Sequence, residues 1–182
     1  MTTLTASLSQ RRHAILGSLG FVMALAAASQ IAIPIPGTPV PVTLQPMVVV
    51  LAGMMLGPTT GAASMALYLA IGALGAPVFA PIGALGVARF FGPTGGYLIA
   101  YPAAAYVAGF VSQRAPSLAG RWGAALLGIA VLFVGGLAQL TIVTGSFSRA
   151  VVLGMTPFAL LDALKALVAA AIARPRGRSA QG

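Results

Sequence analysis

The sequence predicts an all-α membrane protein: one domain of six transmembrane helices, with the N- and C-termini cytoplasmic. Three observations carry this. Of 182 residues, 59% are hydrophobic and only 6% charged, at a mean hydropathy of +1.00, whereas a soluble domain carries about 25% charged residues. From Ala14 to Ala88 no side chain is charged. Gly/Pro breaks divide the apolar sequence into pieces of helical length, unlike the alternating, roughly ten-residue strands of an outer-membrane barrel.

The first span runs from about Ala14 to Ile33, close to the ~20 residues a bilayer requires. The polar start and Arg11-Arg12 imitate a signal peptide, but the span is long and no clear cleavage site follows, so it is read as a retained helix. Residues 1–13 are then a cytoplasmic tail. Four prolines in Ile33–Pro41 exclude regular helix there, since each removes a donor and fixes φ. The second span, Thr43 to Leu56, ends at Gly57-Pro58, and the third, Thr60 to Leu74, ends near Gly75-Ala76-Pro77. Both are short, as is tolerated where helices line a protein-enclosed cavity.

A long connection, Gly75 to Pro93, carries Arg89. The fourth span is about Thr94 to Val111, followed by a basic loop from Arg114 to Arg121. The fifth is Trp122 to Val143. A polar turn, Thr144 to Gly154, holds Arg149. The sixth span starts with Thr156 as N-cap and Pro157 at the first helical position and ends at Ala173. It leaves residues 174–182 as a basic cytoplasmic tail and 14–173 as the transmembrane domain.

The arginines test this count. With a cytoplasmic N-terminus and six spans, Arg11, Arg12, Arg114, Arg121, Arg174, Arg176 and Arg178 lie inside, and only Arg89 and Arg149 outside. That is the expected positive-inside bias. Merging the second and third spans into one broken helix would export the C-terminal arginines. The net charge of +9 is therefore a matter of topology and anionic lipid in the bilayer, and no nucleic-acid partner is expected.

The sixth span holds the one acidic residue of the chain, Asp162, and the one lysine, Lys165. A charge at mid-membrane costs roughly 2.5–3.5 kcal/mol on insertion scales, so such groups face a bundle interior or a wet cavity and mark a substrate or ion site. Three positions apart, the two share a helical face. Arg89 lies in an outer connection able to fold back over them. The trio sums to +1, and one uncompensated cation between low-dielectric walls selects a monoanion, most simply a carboxylate. The plainer alternative is that Asp162 and Lys165 neutralise each other while Arg89 reaches out to the headgroups.

Two further segments are candidates. Pro39-Val40-Pro41-Val42-Thr43-Leu44-Gln45 opens a short span on the same outer side, and Gln45 offers an amide donor and acceptor for a neutral ligand head. Capping by Thr43 is the alternative. Gly92-Pro93-Thr94-Gly95-Gly96-Tyr97 lets backbone approach a ligand or another helix, or is simply a turn into the fourth span. Tyr97 and Tyr68 are candidates to stack on a ring. Gly20, Ala24, Ala28 and Ala32 form a small-residue stripe suited to close helix contact, either within this chain, with another protein or with a second copy.

Other chemistry is poorly provided for. One carboxylate gives no acid/base pair of its own, and a chain with no cysteine, no glutamate and one histidine, His13, has no set of metal ligands. There is no Walker A lysine. No enzyme, metal or cofactor is expected.

Pro39–Gln45, Gly75-Ala76-Pro77-Val78-Phe79-Ala80, Gly92–Leu98 and Asp162-Ala163-Leu164-Lys165, in that order, resemble BioY, the biotin-specific substrate-binding (S) component of energy-coupling factor (ECF) vitamin transporters. The resemblance covers about Ile15 to Ala173. It implies the six-helix S-component fold, high-affinity capture of biotin from outside, and work with a membrane T component and a pair of ATPase subunits. It also implies ligand contacts from Arg89, Asp162 and Lys165, leaves Gln45, Thr43 and Tyr97 as candidates for the ureido ring, and makes Ala24 and Ala28 the T-component docking pair. The sequence departs from the pattern at Ala80-Pro81, where a small polar or glycine-rich run is expected, and in having no asparagine. The alternatives are a component or carrier for another small anionic vitamin, and a membrane assembly protein without a transport role.

Overall fold

The computed structural model describes residues 2–173, with side chains from Arg12 onward. The C-terminal arginines 174, 176 and 178 and the Arg11 side chain, all used in the inside count, lie outside the described residues. The chain forms helices α1 (Thr2–Gln30), α2 (Gln45–Leu56), α3 (Pro58–Ala73), α4 (Gly95–Ile99), α5 (Tyr101–Ser112), α6 (Leu118–Thr144), α7 (Phe147–Gly154) and α8 (Ala159–Ile172), with a 3-10 turn at Gly86–Phe91 before α4. Among the described residues there is no strand, only an isolated antiparallel bridge between Ile33 and Val42 closing the proline-rich loop.

By length and composition, residues 12–30 of α1 and the whole of α6 can cross a membrane, and α7 with α8, bent by 53°, would make a third span. The others are shorter. At 1.5 Å per residue the twelve residues of α2 reach only about 18 Å.

Gly57, at φ 90°, separates α2 from α3, and there the chain folds back on itself. A methyl group added at Gly61 would come within 2.6 Å of the Gly53 Cα, although in one continuous helix residues eight apart lie about 12 Å from each other. The second and third spans are thus two helices side by side. Gly53 also takes the backbone of α5 at Ala105. This is the close approach through small residues on which helices rely in lipid, where burial of apolar surface gives no drive.

The core lies around α5, which packs on α2, α3 and α6. One part centres on Leu25, Val49, Met65, Tyr68 and Ala105, and a second, lined by Ala108, Ala125, Ala166 and Ala170, joins α6 to α8. Leu16, Met23, Val134, Ile142 and Leu160 are between 67% and 78% exposed, an outer surface suited to acyl chains rather than water.

Four expectations need correction. The stretch Thr144–Gly154 is not a polar turn, because Ser146 caps a real helix, its hydroxyl accepting the Arg149 N–H. Thr156 and Pro157 do not open α8. The N–H groups of Met155 and Thr156 both bond back to the Val151 carbonyl, so they finish α7, and α8 begins at Ala159 after Phe158. The fourth span is broken at Ala100, ahead of Pro102, into α4 and α5. Arg121, expected in a loop, falls within α6, which starts earlier with Ser117 as its cap.

Two sets of hydrogen bonds fix the connections. At the end of α1 the Ser29 hydroxyl, with one proton to give, lies 2.6 Å from the Ala26 carbonyl and 2.7 Å from the Val78 carbonyl, and Gln30 Nε2 donates to the Phe79 carbonyl at 3.1 Å. From the proline-rich loop, the Thr38 hydroxyl donates to the Leu153 carbonyl of α7 at 2.6 Å.

Candidate functional site

These ties gather three connections around one cavity. Val40, Pro41 and Thr43 come from the loop after α1, Phe79, Ala80 and Arg89 from the segment after α3, and Gly154 and Phe158 from the α7–α8 bend. The helical part of the wall includes Gln45 of α2, Tyr97 and Leu98 of α4, Tyr101 of α5, Leu132 and Phe133 of α6, and Asp162 and Lys165 of α8. Its lining is mostly apolar with a few convergent polar groups, the usual make-up of a small-molecule site.

All six predicted ligand residues, Arg89, Asp162, Lys165, Gln45, Thr43 and Tyr97, lie on this one wall. Asp162 is in the first turn of α8, where the positive end of the helix dipole favours a carboxylate. Lys165 Nζ donates to Asp162 Oδ1 at 2.7 Å, with both side chains largely buried. The pair is thus neutral within itself.

Arg89 behaves otherwise. It does not reach toward headgroups, since it is only 5% exposed. It makes no ion pair with Asp162. Its Nη1 donates to the Ile82 carbonyl, and its Nε is buried with no hydrogen-bond partner. Burial pulls its pKa below the ordinary guanidinium value, the sign of a cation that has lost water without gaining an anion. The trio is therefore a closed ion pair and a separate cation on the same cavity, not one three-way cluster.

The polar end opposite in chemistry is neutral. Gln45 is buried, with its Nε2 donating to the Tyr68 hydroxyl at 3.1 Å and its Oε1 3.3 Å from the Thr43 hydroxyl. Tyr97 donates its hydroxyl proton to the Gly154 carbonyl at 2.7 Å, and its ring rests on Gly136, which has no room for a side chain. Tyr68 is fully buried behind the wall and is not a ring-stacking surface in the cavity.

The docking pair is split. Ala24 is exposed but Ala28 is 8% exposed and belongs to the core. Positions four apart differ by about 40° around a helix, enough here to turn the second alanine inward. Sequence reasoning also missed the apolar walls, Phe79, Phe133, Phe158, Leu98, Leu132 and Tyr101.

Known proteins resemble this chain along most of its length. The BioY family model matches residues 2–181. A protein of Pyrococcus horikoshii described as a probable biotin transporter BioY is 40% identical over 153 residues, covering 84% of this chain and 89% of the relative. The biotin transporter BioY of Thermotoga maritima is 33% identical over 141 residues, 78% and 83% of the two chains. The solved structure of the S-component for biotin from an ECF-type ABC transporter superimposes at a TM-score of 0.80, with 26% identity over 93% of this chain and 91% of that one. With the match running through nearly every described residue and the fold shared to the same extent, the chain belongs to the BioY family.

Proposed function

We propose that this chain is the biotin-binding S component of an ECF-type transporter and serves uptake of biotin across the cytoplasmic membrane. It is a transport component, not an enzyme, and biotin is its cargo rather than a cofactor. The observation that carries the reading is the buried Arg89 guanidinium, with no carboxylate of its own, on the same small cavity as the Asp162–Lys165 pair. Arg89 receives the ligand carboxylate through its planar fork. Lys165 has three donors, so it can add one while keeping Asp162. Gln45 and Thr43 meet the ureido ring, and Tyr97 with the three phenylalanines encloses the apolar remainder.

Six crossings fit best: α1, α2, α3, α4–α5, α6 and α7–α8. The fold-back at Gly57 supports counting α2 and α3 separately. The connections after α1 and after α3 would then share the outer side, the α7–α8 bend would lie in the outer half of the last crossing, and both termini would be cytoplasmic. A T component and a pair of ATPase subunits are the partners this assignment entails, with the exposed Ala24 face of α1 on the side available to the former.

Native mass spectrometry of the purified protein tests the function directly. Copurified biotin, displaced by excess ligand, is the expected result. Protein that neither retains nor rebinds biotin, while another small anionic vitamin protects it from unfolding, transfers the site to that vitamin.

A further inference from the structure

Tyr68 takes no part in the wall, yet it decides what the wall presents. It is fully buried on α3, between α2 and the segment that follows α3. Its hydroxyl lies 2.7 Å from the Val78 carbonyl and 3.1 Å from the Gln45 side-chain nitrogen. A carbonyl only accepts, so the single phenolic proton must go to Val78. The phenol oxygen is then left as an acceptor toward Gln45, and the Gln45 atom that faces it has to be the NH2 group. At the other end Oε1 faces the Thr43 hydroxyl at 3.3 Å. The orientation of a buried amide, which its shape alone leaves ambiguous, is thereby fixed by its neighbours.

Ser29 holds the far end of this chain of bonds. It is fully buried, and its hydroxyl lies 2.7 Å from the same Val78 carbonyl and 2.6 Å from the Ala26 carbonyl of its own helix, with one proton for the two. Val78 immediately precedes Phe79 and Ala80, which line the cavity. The phenylalanine ring is seated on Gly72 and meets the edge of Tyr68 at 5.5 Å between centroids. One buried phenol thus holds both the cavity's neutral amide and its adjoining apolar edge.

We infer that Tyr68 is a positioning residue for ligand selection: acting through Gln45, it fixes which atoms of that carboxamide, one oxygen acceptor and one remaining N–H donor, are turned to the ligand. A ligand head that offers an N–H beside a carbonyl, as a cyclic urea does, is complementary to such an amide, and a flipped amide would meet it donor to donor. The inference rests on the biotin reading given above.

The test is a double-mutant cycle for biotin binding with Tyr68→Phe and Gln45→Leu. The change to phenylalanine keeps the ring packing and deletes only the hydroxyl. It should weaken biotin about five- to tenfold in the presence of Gln45 and leave affinity unchanged once Gln45 is leucine. Biotin methyl ester should show the same loss, because the carboxylate end is not involved. Losses that multiply independently in the double variant, or no loss from Tyr68→Phe at all, overturn the inference. If wild-type protein does not bind biotin, it is the functional assignment that fails, and the two failures are distinct. Should Tyr68→Phe not fold, a second measurement on the wild type serves: the Gln45 side-chain amide, identified in glutamine-labelled protein by its absence in Gln45→Leu, should exchange its protons slowly with water. Exchange as fast as in a free carboxamide overturns the inference equally.

Discussion

Lys165 reaches back one turn of α8 to Asp162, Nζ to Oδ1 at 2.7 Å, while Arg89 faces the same cavity with no carboxylate partner. The two cations on the site are therefore not equivalent. One is already compensated, and the other is not.

The first prediction follows from that asymmetry. Arg89→Gln should weaken biotin about 30- to 100-fold, on the order of 2–3 kcal/mol for a charge-assisted hydrogen bond, and biotin methyl ester much less. Lys165→Ala should show the same preference between acid and ester. Titration calorimetry with both ligands checks this, and equal losses for the two would detach the carboxylate from these residues.

A second concerns stability without ligand. Asp162→Ala strands a largely buried ammonium and should destabilise the ligand-free protein by roughly 3 kcal/mol or more, whereas Asp162→Leu combined with Lys165→Leu should recover most of the loss. Biotin affinity should not return in the double variant. Unfolding in detergent, read alongside ligand binding, separates the two effects.

The charged residues of the site were legible in the sequence because charge within a long apolar sequence stands out against its surroundings. Arg89, Asp162 and Lys165 needed no neighbours to be noticed, and Gln45 and Thr43 were conspicuous at the mouth of an apolar span. Phe79, Phe133 and Phe158 were invisible for the opposite reason: in a chain that is 59% hydrophobic, an apolar wall looks like any lipid-facing surface. The helix boundaries failed where one helix finishes over residues that read as the start of the next. Thr156 and Pro157 form a good N-terminal pattern, but the Val151 carbonyl claims the backbone around them. Tyr68 and Ser29 carried no sign of their role, since buried hydroxyls acquire meaning only from what they touch.

Packing supplies a third prediction. Gly53→Ala drives a methyl group into the Ala105 backbone of α5 and should cost about 1–3 kcal/mol or more in stability. Gly20→Ala, at an exposed position inside α1 with nothing within 4 Å, should stabilise by about 0.5–1 kcal/mol. Unfolding midpoints for the two variants make the comparison. Similar midpoints would argue against the close α2–α5 contact.

Topology gives a fourth. The chain has no cysteine, so single cysteines placed at Gly37, Gly83 and Gly145 report accessibility without background. All three should react with a membrane-impermeant maleimide from outside intact cells, and a cysteine at Ala115 only after permeabilisation. A pattern in which Gly37 and Gly83 fall on opposite sides removes the six-crossing arrangement.

The bonds from Ser29 and Gln30 to the Val78 and Phe79 carbonyls have a mechanical result. They rivet the end of the first long helix to the rim of the cavity. A tilt of that helix therefore carries the rim with it, and because α1 also packs on α2 and α3, the cavity and the helices behind it respond together.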